Sequence, residues 1–405
     1  MSRLNELIQQ YCPYGVEYKK LGELGVFYGG LSGKTKEDFK DGNAKFISYK
    51  NVFYNLSLNI DTDERVKIEE GEKQHTIQYG DILFTGSSET PDECGMSSVL
   101  TQRTDEKLYL NSFCFGYRLH NLSQFSPDFL KHLFRSNELR KQIGKTASGK
   151  TRFNVSKKRF AEVSIPVPPL PVQEEIARIL DNFAELQAEL QAELQKRLQQ
   201  YNYYRDNLLS FEGRTDVEWK KLGEIGKVCM CKRILKDQTS STGDIPFFKI
   251  GTFGGSADAY ISKELFEEYV KKYSYPKKGD ILISAAGTIG RTVVFDGTPS
   301  YFQDSNIVWL KHDESVVLNS YLRYIYSLNP WAISTGGTIA RLYNDNILNA
   351  VIPVPSITEQ QRIVDILDRF NTLTTDITAG LPAEIEARRK QYEYYRDKLL
   401  TFQIK

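Results

Sequence analysis

Apolar residues recur at spacings of three and four along two stretches of the chain. Ile176, Ile179, Leu180, Phe183, Leu186, Leu190, Leu194 and Leu198 form one stripe; Ile363, Ile366, Leu367, Phe370, Leu373 and Ile377 form the other. That period marks an amphipathic helix. The first stripe runs without a breaker to about Phe211. Some forty residues at 1.5 Å each predict a helix roughly 60 Å long. The second stripe is interrupted at Gly380-Leu381-Pro382, a helix stop with a proline near the next start. Two such stripes need apolar partners. An antiparallel coiled coil between them, with a globular domain at each end, is the economical arrangement.

The remaining sequence alternates short β-branched and aromatic runs with Gly/Ser/Thr/Lys turns. The runs at 44–49, 81–84, 113–119, 246–250, 280–283, 292–295 and 306–310 read as strands. Residues 127–143 and 315–328 read as amphipathic helices. The prolines of IPVPPLP (165–171) and IPVP (352–355) neither continue a helix nor suit a central strand, so they read as extended lead-ins to the long helices. The fold class expected is α+β: two mixed α/β domains with curved sheets, joined by two long helices.

The chain repeats itself. VEYKKLGELG at 16–25 returns as VEWKKLGEIG at 217–226, and GDIL at 80–83 returns at 279–282. IPVP at 165–168 returns at 352–355, and QYNYYRD at 200–206 returns as QYEYYRD at 391–397. The order is kept while the spacing drifts, so this is a pseudo-twofold repeat with unequal interiors. Openings and helices match closely; globular interiors barely match. A chain that docks one partner twice and reads two different targets has this pattern, and a duplicated scaffold that drifted is the alternative. The domain limits that follow are 1–167, 168–212, 213–354 and 355–405: domain, spacer helix, domain, helical region. Three tandem AELQ tetrapeptides (184–195) lie in the first helix. Each adds about 6 Å and about 40° of rotation, a stutter in coiled-coil terms.

Composition narrows the function classes. The formal net charge of the 405 residues is +1, with 40% hydrophobic and 26% charged residues. The total therefore neither supports nor excludes DNA binding, and any basic surface must be local. No apolar run reaches the ~20 residues of a membrane span. The opening MSRLNELIQQ reads as an amphipathic helix, not a signal peptide. Five scattered cysteines fit a reducing cytoplasm, and four dispersed histidines give no metal site. No Asn/Asp-Pro-Pro-Tyr/Phe amino-methylation motif and no Ser/His/Asp arrangement is present, so no catalytic residue is assigned.

The succession of VEYKKLGEL, divergent domain, IPVPPLPVQEEIARILDNF, AELQ repeats, QYNYYRDNLLSF, VEWKKLGEI, divergent domain, IPVPSITEQQRIVDILDRF and QYEYYRDKLLTF resembles the specificity subunit of Type I restriction-modification enzymes over essentially the whole chain. The tetrapeptides resemble the subgroup in which such repeats set the spacing between DNA half-sites. The resemblance implies that each divergent domain is a target recognition domain for one half of a bipartite double-stranded DNA site. The helices would space the domains and dock two methyltransferase subunits. S-adenosylmethionine would belong to those subunits, and ATP and Mg to restriction subunits of the full complex; this chain would hold no cofactor.

Gly144–Thr151 matches the phosphate-loop pattern GxxxxGK[ST], but a helix-like segment precedes it and no long helix follows. A nucleotide-binding protein is thus one alternative and a protein-only coiled-coil adaptor another. The better reading is a basic loop in which Lys150, Thr151, Arg152, Lys157 and Lys158 reach DNA, with Gly149 letting the backbone approach a phosphate. Its counterpart in the second half offers Thr338, Arg341 and Tyr343. Further candidates are Tyr28, Ser32, Lys34 and Lys36 in the first domain's opening loop, and Ser87 after GDIL. Thr288 and Arg291 occupy the equivalent second-half loop. Arg152 and Arg291 suit bidentate contacts to guanine or phosphate. A plain strand connection or solvated loop is the competing reading. In QYxYYRD, the residues expected to dock partners are Tyr201, Tyr204, Arg205, Tyr392, Tyr395 and Arg396.

Overall fold

A computed structural model describes residues 2–332, 341–376 and 378–405. The chain divides into two compact units: Met1–Gln191 with Glu384–Lys405, and Ala192–Ala383.

Unit 1 is built on an antiparallel four-stranded sheet in the order Gly25–Gly29, Cys114–Leu119, Ile82–Thr85, Ser97–Val99. The central strand Ile82–Thr85 is buried at every position, so its unbroken apolar run suits a sheet covered on both faces. Phe84, Phe115 and Phe160 pack edge-on or stacked beneath it. A second, mixed sheet pairs Ala44–Ile47 in parallel with Leu108–Leu110. Unit 2 repeats the first sheet as Gly226–Met230, Ile307–His312, Ile281–Ser284 and Thr292–Val294. Its mixed sheet runs Tyr260–Ile261, Ile245–Phe248, Tyr301–Phe302.

The repeated openings and proline segments pair with each other. Glu17–Lys20 lies antiparallel to Ser164–Val167, and Glu218–Lys221 to Val351–Val354. Pro166 and Pro353 sit in two-stranded ribbons, where a missing N–H costs no central ladder bond.

The first long helix spans Leu170–Ser210, 41 residues, with Pro171 tolerated in its first turn. The second region is split as expected into Ile357–Thr375 and Leu381–Leu399. A Cβ on Gly380 would lie 2.5 Å from the Thr372 carbonyl oxygen, so that stop needs glycine. The expected pairing of helices appears inside each unit. Phe183 stacks on Tyr395 at 5.2 Å in unit 1, and Tyr204 on Phe370 at 5.4 Å in unit 2. Ile377 of the predicted stripe lies outside the described residues.

Several boundaries differ from expectation, the helix expected over 315–328 spanning only Asn319–Ser327, and two of the differences have a visible cause. The run 44–49 leaves the strand after Ile47, because Ser48 caps a helix, Tyr49–Tyr54, by accepting from the Asn51 N–H. The helix expected over 127–143 is two, Pro127–Leu133 and Asn137–Gly144. At the break the Ser136 hydroxyl donates to the Leu133 carbonyl.

Candidate nucleic-acid interface

A buried glutamine organises the base of each unit. In unit 1, the Gln173 amide donates to the carbonyls of Gln124 (2.8 Å) and Pro168 (2.7 Å), and its oxygen accepts from Ser126 N–H (2.9 Å). In unit 2, Gln360 donates to Val316 (3.0 Å) and Pro355 (2.9 Å) and accepts from Leu318 N–H (2.9 Å). Both are fully buried. The glutamine ties the proline lead-in, the helix start and the loop before the next helix together.

The QYxYYRD copies pack against the same place in each unit. Tyr392 OH bonds His132 Nδ1 (2.9 Å), whose Nε2 bonds Asp181 (2.7 Å); Lys131 reaches the same carboxylate at 2.8 Å. Burial pushes the His132 imidazole below its usual range, so the neutral ring is favoured. Burial pushes Asp181 up, but hydrogen bonds from His132 and Lys131 outweigh it and hold the carboxyl low. In unit 2, Arg323 and the Tyr324 hydroxyl both bind Asp368, and Tyr201 packs on the same core. These contacts turn several of the residues expected to dock partners toward the chain itself. Tyr392 and Arg396 are buried, Arg396 bonds Asn137 and Asp397, and Tyr395 and Tyr204 stack on phenylalanines of their own units. Arg205 lies against Asp206 and the Tyr201 ring. The most exposed tyrosines of the two motifs are Tyr203 and Tyr394, at 66% and 59%, which hold the same place in the two copies; Tyr204 is 40% exposed beside its phenylalanine contact.

The phosphate-loop look-alike is a β-hairpin. Ala147–Gly149 pairs antiparallel with Phe153–Val155, which pairs in turn with Ser87–Ser88. It follows a helix rather than a strand, unlike a nucleotide cradle. Gly149 serves the hairpin turn itself: a Cβ there would lie 1.9 Å from the Arg152 carbonyl oxygen. The backbone approach expected toward a phosphate is made instead to the chain's own strand.

Three predicted residues, Ser87, Thr151 and Arg152, converge on one cavity of about 650 Å³. Arg152 donates through Nε and Nη2 to Ser87 Oγ (3.1 and 2.9 Å) and lies over the Phe113 ring. Lys150, Lys157 and Lys158 are exposed nearby in sequence, Lys157 over the Phe115 ring. From Lys145 to Ala161 the sequence holds six cations and no acid. Among the described residues none of the six forms an ion pair.

The opening loop is different. Tyr28 is buried, and its hydroxyl donates to Asp81 (2.7 Å), which also binds Arg118. Burial and the Asp81 charge push its pKa up, and the structure places it in the core of unit 1. Lys34 is committed to Glu72 at 2.6 Å, which helps hold that carboxyl down to about 2. Ser32 bonds Gln74 through its backbone, and Lys36 is exposed. In unit 2, Arg291 donates to Gly254 O (3.2 Å) and Arg341 to Ser305 O (2.9 Å). Thr288 and Tyr343 are exposed, and Thr338 lies outside the described residues.

Sequence reasoning missed Tyr49, Tyr54 and Phe113, which wall the Arg152 cavity. Tyr54 and Phe113 are 73% and 57% exposed, and their signal was large apolar residues at strand and helix ends.

This geometry, with one sheet plan used twice and internally docked helices, is that of a duplicated scaffold. Solved structures share it. A chain from a structure of complex assembly and conformational transition of the type I R-M system aligns with a TM-score of 0.61 at 19% identity, covering 96% of this chain and 98% of that one. The S subunit of a type I restriction-modification system from M. genitalium aligns with a TM-score of 0.53 at 14% identity, covering 95% and 96%. The Type I restriction modification DNA specificity domain matches twice, at residues 13–200 and 215–387, and the chain belongs to that family. A Haemophilus influenzae chain assigned as a type I restriction enzyme specificity subunit is 58% identical over 263 residues, 63% of this chain and 68% of that relative. The Escherichia coli EcoR124I/EcoR124II specificity subunit is 39% identical over 266 residues, 60% of this chain and 64% of that relative.

Proposed function

We propose that this chain is the sequence-reading, non-catalytic subunit of a Type I restriction-modification enzyme. Each divergent domain, 1–167 and 213–354, reads one half of a bipartite asymmetric DNA site. The helical regions, 168–212 and 355–405, set the spacer and dock two methyltransferase subunits; restriction subunits join the full complex. S-adenosylmethionine serves the methyltransferase, and ATP and Mg the restriction subunit. With DNA as target, five unpaired cysteines fit a reducing cytoplasm, and no described helix is long and apolar enough to cross a membrane.

The observation that carries the reading is the acid-free basic run on the hairpin and the helix after it, in a family of DNA specificity domains. In a chain of net charge +1, six cations without ion pairs on one segment suit phosphate contacts. In this reading Lys150, Lys157 and Lys158 hold phosphates, Thr151, Ser87 and Arg152 lie at the DNA surface, and Lys36 flanks it. Thr288, Arg291, Arg341 and Tyr343, with Thr338, serve the second half-site. With Tyr201, Tyr392, Tyr395 and Arg396 turned toward the chain's own core, docking rests on Tyr203, Tyr204 and Tyr394, with Arg205 beside them. A gel shift of the chain with its methyltransferase subunits on random DNA tests this. Retention of a bipartite sequence is expected; sequence-blind or absent binding refutes it.

A further inference from the structure

The Arg152 cavity has an unusual charge arrangement for a DNA surface. The lysines nearby in sequence have no acid among them, yet the cavity itself is lined by Glu89 and Glu93 as well as by Lys50, so it carries both signs of charge. A phosphate placed at Arg152 would sit in the field of both carboxylates. A base-pair edge carries donors as well as acceptors and suits such a mixed surface.

The arginine is fixed before any ligand arrives. Ser87, itself buried, takes its Nε and Nη2 edge, and Phe113 supports its face. The outward Nη pair has no carboxylate partner among the described residues. End-on, that pair matches guanine O6 and N7. Glu93 Oε2 already accepts from the hydroxyls of Ser88 and Thr90, each at 3.0 Å, whereas exposed Glu89 has neither oxygen engaged among the described residues and is the freer acceptor. Guanine's partner, cytosine, presents its N4 amine beside those acceptors in the major groove.

The walls are rigid too. Tyr49 OH donates to Ser87 O (2.8 Å). Arg135 donates to the carbonyls of Val52, Phe53, Asn55 and Ser97, and Arg140 to those of Asp92, Cys94 and Gly95. Burial lowers both guanidiniums to about 10, still charged at neutral pH. Two half-buried arginines thus tie down the helix and the loop that frame the cavity.

We infer that this cavity reads one G·C pair in the major groove, Arg152 donating to guanine and Glu89 accepting from the cytosine amine. The assignment rests on the DNA-reading function proposed above. The test selects bound sites from a library randomised in both half-sites, using the chain assembled with its methyltransferase subunits. Wild type, R152A, E89Q and K158A are compared, with thermal melting confirming that each is folded. R152A and E89Q should relax preference at the same single position, R152A by about 5- to 150-fold, the range for a bidentate base contact. K158A should weaken all sequences alike and reduce the salt slope by about 0.9. If R152A behaves like K158A, or R152A and E89Q relax different positions, the inference is overturned while the proposed function stands. If wild type selects no sequence, both fall.

Discussion

Replacing Gln173 by alanine should destabilise unit 1 far more than a helix-surface substitution would. The side chain is fully buried and makes three hydrogen bonds, all to main-chain groups. Its removal strands two carbonyls, at Gln124 and Pro168, and the Ser126 N–H. Each buried unpaired group costs about 1–3 kcal/mol, and partial relaxation brings the expected total to about 3–5 kcal/mol. For a unit near 200 residues, that is a drop of roughly 6–20 °C in its thermal midpoint. Gln360→Ala should do the same to unit 2, since its three bonds are equivalent. The assay is calorimetry of the full chain, which separates two transitions if the units melt independently. Glutamate is the informative second variant at either position. It keeps the size but turns the amide donor into an acceptor facing two carbonyls, so it should be no better than alanine. A Gln173→Ala loss under about 1 kcal/mol, or a Glu variant as stable as wild type, would refute the reasoning.

Tyr203→Ala and Tyr394→Ala should each weaken binding of one methyltransferase subunit by about 2 kcal/mol or more if they are anchor residues, without lowering the chain's thermal midpoint; titration calorimetry with the isolated partner reads this, and unchanged affinity in both sinks the docking assignment. Because burial depresses His132, the unfolded chain takes up a proton that the folded one resists. The stability it confers is therefore intact above about pH 6.5 and falls as pH drops below, by up to about 1.4 kcal/mol per pH unit. Denaturant curves should show the gap between wild type and His132→Asn narrowing from pH 7 to 5.5; a widening gap contradicts the burial argument. Deleting 188–191 removes about 6 Å and about 40° of helix and should change the permitted DNA spacer in methylation assays; an unchanged spacer ends the view of the tetrapeptides as a ruler.

Period and punctuation carried most of the architecture. The stripe from Ile176 onward and the Gly380-Leu381-Pro382 stop are local signals, and both elements appear where those signals stand. The duplicated sheet was visible through GDIL and the segments that pair with it. What sequence could not resolve was direction. Tyr28, Tyr392 and Arg396 look like surface chemistry, yet their hydroxyl or guanidinium is bound to Asp81, His132 or Asn137, partners 53 to 260 residues away. Only the fold brings such pairs together. The same holds for the cavity, whose walls come from separate segments near residues 50, 88, 113 and 152. Ser48 was a legible cap that the aromatic run around it obscured.

The central claim is that one repeated frame carries two different readers. Methylome sequencing of a host carrying this chain and its neighbouring methyltransferase tests it most directly. The account predicts a single bipartite motif with two unlike halves, methylated in each, and an unread spacer of fixed length. A contiguous motif, two identical halves, or no motif dependent on this chain would contradict it.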